Sequence, residues 1–112
     1  MTQDTLENTV LELRRGVIVL AVLSQLGEEQ YGYSLLKLLS ERGLEIDQGT
    51  LYPLLRRLES QGLLQSAWKL EEARPRRYYV ISPEGTALLA RLKEEWNNIV
   101  AMMGAMLERR LK

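Results

Sequence analysis

The last thirty residues constrain the chain most. Ser82-Pro83-Glu84 reads as a helix start: a serine cap, proline at the first helical position and an acid in the first turn. From there Leu89, Leu92, Trp96, Ile99, Met103 and Met106 step by alternating threes and fours, a coiled-coil-like stripe. The pattern predicts one helix from Pro83 nearly to Lys112. At about 1.5 Å per residue it would reach roughly 40 Å. A chain of 112 residues builds one domain with a modest core and cannot cover a helix of that length alone. The stripe needs a partner, and a homodimer supplies one. The division expected is residues 1–82 as one compact unit and 83–112 as a C-terminal dimerisation helix.

A second stretch, Asp47 to Gln61, is shaped for two tasks. Leu51, Leu54, Leu55 and Leu58 give a helix one core face, while Gln48, Thr50, Tyr52, Arg56 and Arg57 line the rest. Gly62 is a left-handed stop. Pro53 leaves the start open. With Asp47 as N-cap the proline is the sixth helical residue and removes the bond to the Gly49 carbonyl. With Thr50 as cap it falls in the first turn, where its N–H would have been free anyway. Either start gives a shaped helix entrance, with Gly49 allowing close approach of another backbone.

The elements before it are helical. Leu6, Val10, Leu13, Val17 and Leu20 space a first helix over about Leu6–Leu26. Val17–Leu23 is apolar on nearly every side, which predicts burial all round and the centre of the core. A second helix is predicted over about Tyr31–Arg42, stopped by Gly43. Leu44–Ile46 reads as an extended link, at most a short strand, so two helices meet across a glycine turn. After Gly62 come a strand over Leu63–Leu70, a charged loop over Glu71–Pro75 and a strand over Arg76–Ile81. Together these form a two-stranded hairpin carrying Lys69, Arg74, Arg76 and Arg77. An isolated hairpin is marginal in water, so it must lean on the helices, with Trp68 expected as core beneath it. Tyr31, Tyr33, Tyr78 and Tyr79 are expected to be partly buried.

Composition narrows the chemistry. Fifteen basic and fifteen acidic residues leave no net charge, so nothing global argues for nucleic acid. Locally, residues 47–82 hold six basic against four acidic groups. There is no cysteine and no histidine, which removes thiolate sites, disulfides and the commonest general base and metal ligand. Adjacent glutamates such as Glu94-Glu95 point apart on a helix and make poor acid–base pairs. No enzyme, metal or cofactor is therefore expected. Val17–Leu23 is too short to span a bilayer and the N-terminus lacks a signal-peptide pattern, which suits a cytoplasmic protein.

Helix, helix-turn-helix, hairpin and long helix is the order of a mainly α (α+β) winged helix-turn-helix with a long C-terminal dimerisation helix. Such a chain suits double-stranded DNA, with the 47–61 helix in the major groove and the hairpin arginines on the neighbouring backbone or minor groove. The candidate DNA-binding residues are Gln48, Thr50, Tyr52, Arg56, Arg57, Lys69, Arg74, Arg76 and Arg77. The rival reading is a winged-helix module that binds protein and leaves its basic hairpin solvated.

The chain also resembles the PadR-like transcriptional regulators. The likeness rests on Leu-Arg-Arg-Gly-Val-Ile-Val-Leu-Ala-Val-Leu at 13–23, Tyr-Gly-Tyr at 31–33 and Gly-Thr-Leu-Tyr-Pro-Leu-Leu-Arg-Arg-Leu-Glu at 49–59. It continues through Gly-Leu-Leu at 62–64, Pro-Arg-Arg-Tyr-Tyr at 75–79 and Ser-Pro-Glu-Gly at 82–85. The short C-terminal part looks like the small subfamily with a single long helix. What the resemblance implies is a homodimeric repressor on an inverted-repeat operator, released by a small molecule. In similar multidrug-sensing members a tryptophan of the last helix stacks planar aromatic compounds, and Trp96 matches that position. Trp96, Ile99 and Met103 are thus the candidate ligand-binding residues. Asp47, where a neutral cap is common in the family, and the neutral net charge are departures that bear on DNA affinity.

Overall fold

The computed structural model describes residues 1–109, in the order α1 (Gln3–Ser24), β1 (Gln30–Tyr31), α2 (Gly32–Glu41), α3 (Gln48–Ser60), β2 (Leu64–Glu71), β3 (Arg74–Ile81) and α4 (Pro83–Arg109). The end of the predicted last helix, 110–112, lies outside the described residues. Helix α1 starts earlier than its apolar spacing suggests because Thr2 caps it, accepting the Thr5 N–H at 3.0 Å. It stops two residues sooner, at Ser24.

The core gathers where α1 ends and α2, α3 and the sheet converge. Val22, Leu23, Leu26, Leu35, Leu39, Leu51, Leu55, Leu58, Leu64 and Tyr79 are buried there. Each buried aliphatic side chain contributes about 1.5–3 kcal/mol. The expectation that Val17–Leu23 would be sealed on every side does not hold. Only Val22 and Leu23 of that run are buried, and Val17 to Ala21 are half-covered. Val17, Val19 and Leu20 also line an open groove against α4, and Ile18 a hollow beside α3.

The sheet also differs from the expected hairpin. It has three strands in the order β1-β3-β2, with Gln30 and Tyr31 paired to Tyr79 and Tyr78. Residues 44–47 form no strand. The pairing needs an extended segment beside β3, and the segment leading into α2 provides it, with Ser34 Oγ accepting the Tyr31 N–H at 3.1 Å. Strands β2 and β3 run closer to the tip than charge and proline suggested, leaving a two-residue turn at Glu72 and Ala73. Both turn residues have positive φ, 51° and 64°, the handedness that matches strand twist, at some strain for side chains other than glycine. Pro75 fits because it sits one step from the pair that closes the turn, where its missing N–H points away from β2.

Helix α4 is anchored at its base. Ser82 is 2% exposed, accepts the Gly85 N–H at 3.0 Å and donates to the Gly62 carbonyl at 2.6 Å. A side chain at Gly85 would place its first carbon 2.1 Å from the Leu63 carbonyl oxygen, so only glycine lets the helix seat there. Beyond Leu92 the helix leaves the domain: every side chain from Lys93 to Glu108 is exposed. The molecule is accordingly elongated, 61 × 35 × 23 Å, with a radius of gyration of 16.7 Å. A compact chain of this length would have about 13 Å.

Candidate nucleic-acid interface and effector groove

Helix α3 is capped by Asp47, whose Oδ1 accepts the Thr50 N–H at 2.8 Å. That settles the start. Pro53 lies inside the helix, and the Gly49 carbonyl loses its intrahelical partner. The consequence is an outer ridge of small or ring-shaped residues, Gly49 and Pro53, continued by Arg56, Arg57 and Ser60, all exposed. Leu51, Leu55 and Leu58 hold the opposite face in the core. Between Gln48 and Leu58 the helix carries no acid. Neither Arg56 nor Arg57 has an ion-pair partner among the described residues.

The ridge is flanked by a hollow on each side. Towards the wing, a cleft of about 360 Å³ is bounded by Tyr52, Leu55 and Arg56 of α3, Tyr31, Gly32 and Tyr33, and Trp68, Arg76, Arg77 and Tyr79 of the hairpin. Towards α1, a smaller hollow of about 290 Å³ lies between Thr50, Pro53, Leu54 and Arg57 on one side and Arg15, Ile18 and Val19 on the other. Tyr52 is held by contact with Gly32: a carbon added to that glycine would lie 2.4 Å from its ring.

The wing cations differ in their engagement. Arg77 is tied inward, donating to Glu59 at 2.7 Å and to the Ser66 hydroxyl at 3.0 Å, while Ser66 also bonds Glu59. This three-member link fixes the hairpin to the end of α3. Lys69 pairs with Glu29. Arg76 lies over the Tyr31 ring, 4.4 Å from its centre. Arg74 is exposed at the tip. Of the four tyrosines expected to be partly buried, Tyr79 is buried, Tyr31 and Tyr78 are half-buried, and Tyr33 is exposed. Burial raises the Tyr79 phenol above the ordinary tyrosine range, opposed in part by the Arg77 charge.

Trp68 is not core. It is 66% exposed: on the hairpin face it stands beyond Ser66, beside Arg77, and lines the cleft instead of joining the buried leucines. Period-two alternation alone could not show how far the hairpin reaches past the helices. Arg15 of α1 and Tyr33 of α2 also border these hollows, and only the packing of their helices brings them beside α3.

A second site is apolar. Helices α1 and α4 enclose a groove of about 720 Å³ floored by Val17, Leu20, Leu92, Trp96, Ile99 and Met103, with Arg14 and Glu95 at its margin. The three ligand candidates Trp96, Ile99 and Met103 thus share one surface, and Trp96 is 41% exposed on it. Among the described residues no helix is long and apolar enough to cross a membrane.

Residues 19–91 match the family model described as the transcriptional regulator PadR-like family. The chain belongs to the PadR-like family of transcriptional regulators. It is 39% identical over 79 residues to transcriptional regulator Rv3488 of Mycobacterium tuberculosis, covering 70% of this chain and 74% of that one. A PadR family transcriptional regulator from Eggerthella lenta superposes with a TM-score of 0.89 at 48% identity, covering 94% of each chain. One from Clostridium difficile superposes at 0.75 and 33% identity, over 82% of this chain and 99% of that one. The chain is therefore a DNA-binding regulator and not an enzyme, built on the winged helix of PadR structures.

Proposed function

We propose that this PadR-like regulator acts as a homodimeric repressor that binds an inverted-repeat operator and is released by a planar aromatic small molecule. The observation that carries the operator reading is the acid-free outer ridge of α3, with Arg56 and Arg57, neither ion-paired among the described residues, beside a cationic wing. Arg56 is the base-reading candidate, since a guanidinium can take two bonds from guanine, and Gln48 and Thr50 reach base edges near the helix start. Arg57, Lys69, Arg74 and Arg76 hold phosphates, and Tyr52 is braced at the groove wall.

Residues 1–82 form the reading unit and the helix from 83 onwards the dimerisation arm. The support is the exposed row Trp96, Ile99, Val100, Met103 and Leu107 beside Leu13, which is 79% exposed. Two copies meeting on this face would bring two Trp96 indoles together across the symmetry axis. A tryptophan is bulky for a helix–helix seam, so the pair leaves a flat apolar slot in which an aromatic, preferably cationic, compound stacks.

A selection for bound sequences from random duplexes tests the operator reading. The expected product is a palindrome whose half-sites lie about one helical turn, or a multiple, apart. An enriched pool without two-fold symmetry would count against the dimer on DNA.

A further inference from the structure

Two hollows flank α3, on opposite sides of its outer ridge, and no acidic residue lines either. In a chain with as many acids as bases, that is a distinctive pair of surfaces. We infer that these hollows are seats for the two sugar-phosphate strands that border the groove read by α3. Trp68 and Tyr33 line the first seat and Arg15 the second. The inference rests on the DNA reading and adds contacts from the inner wing face and from α1.

The geometry follows from dimensions. A helix with its side chains is about 10–12 Å across and a major groove about 12 Å wide, so a helix inserted there fills it. Whatever stands beside that helix on the protein then lies over a bounding strand. On the wing side, the register places Leu64, Ser66, Trp68 and Leu70 on one face of β2, opposite Ile81, Tyr79, Arg77 and Pro75. Leu64 and Tyr79 reach the core, and Ser66 and Arg77 bond to Glu59 of α3, so this face looks at α3. Trp68 is the next residue out on it, held within 5.8 Å of the Arg77 guanidinium and facing Arg56 and Tyr52 across the cleft.

A strand passing through that cleft meets two kinds of group. Arg76 stands at a phosphate-binding position, and the exposed Trp68 and Tyr33 rings offer flat apolar surface to deoxyribose. On the far side, Arg15 of α1 and Arg57 of α3 line one hollow together with Thr50, Pro53 and Leu54. Two guanidiniums from different helices, neither ion-paired among the described residues, suit one phosphate run.

The full chain labelled with 5-fluorotryptophan gives two 19F resonances, one for each indole, and Trp68→Phe identifies that of Trp68. Saturation with a selected duplex should shift the Trp68 resonance. Trp68→Ala should weaken binding roughly tenfold, equally for operator and random duplex and with no change in salt slope, as expected for lost apolar contact. Trp68→Phe should restore part of the loss. Arg15→Gln should lower the salt slope by about one, while Arg91→Gln, on the exposed side of α4, leaves it alone. A complex that forms with the Trp68 resonance unmoved, or unchanged binding for both Trp68→Ala and Arg15→Gln, would overturn the two seats but spare the DNA reading. If no duplex binds even at low salt, both fall together, and the aromatic cleft is a protein-docking surface instead.

Discussion

The α3–wing face and the α1–α4 groove are built from opposite materials. The first is cross-linked within the chain: Asp47 caps α3, Arg77 and Ser66 clamp Glu59, and Gly32 braces Tyr52. Of its cations Arg77, Lys69 and Arg76 are held by Glu59, Glu29 and the Tyr31 ring, so these lose less freedom on contact than the exposed Arg56, Arg57 and Arg74. The second has exposed methionines, leucines and one indole, and among the described residues no salt bridge spans it. A face of the first kind suits a charged partner and should weaken with salt. One of the second kind stays unfinished in a single chain and should respond to apolar surface instead.

Breaking the apolar side should have the largest effect. Ile99→Asp places an unpaired carboxylate at the centre of the α1–α4 face, and sedimentation should show the dimer weakened at least 100-fold, about 3 kcal/mol. An unchanged dimer would mean that the two copies meet elsewhere. On the polar side, Arg56→Ala should cost roughly 1–3 kcal/mol of operator affinity and relax preference at one base pair. A loss equal for all sequences would reassign Arg56 to phosphate.

Trp96→Leu should abolish dye-dependent quenching of protein fluorescence, lowering dye affinity by about tenfold or more. If Trp68→Leu abolishes it instead, the effector slot is not between the last helices. Arg77→Ala should act through the fold, costing about 1 kcal/mol of stability in chemical denaturation for its half-exposed clamp. Arg74→Ala should leave stability unchanged, Arg76→Ala should cost about 0.5–1 kcal/mol for its contact with the Tyr31 ring, and both should lower the salt slope.

The smallest effect concerns Tyr79. Burial holds its phenol above the ordinary value of 10.0, so the unfolded chain ionises first as pH rises. The Tyr79 contribution is complete below about pH 10 and lost above it. Tyr79→Phe should flatten that alkaline decline.

The parts of this comparison that sequence revealed were those with a period. The 89–106 stripe showed the long unpartnered helix, and Leu51, Leu55 and Leu58 showed which side of α3 faces in. Ser82 and Gly62 marked real turns, because a cap and a left-handed stop are local chemistry. What stayed hidden was set by distant packing. Strand β1 is two residues long and exists because β3 offers it an edge. Trp68 reads as core because a large apolar ring usually is, and nothing local records that it stands past the end of α3's contact with the hairpin. Arg77 looked like a free cation because its partner, Glu59, is 18 residues away. Arg15 sits in a helix whose other faces carry the apolar groove.

The most direct test of the polar face is the affinity for a selected operator across a salt series, with random duplex in parallel. Operator binding should be on the order of 10³-fold or more tighter than random. Both affinities should fall steeply with salt on a log–log plot, with a slope close to the number of phosphates held, and Arg57→Ala should lower that slope by about one. Equal affinity for both duplexes, or a salt dependence that is flat, would contradict α3 and its flanks as the surface that reads DNA.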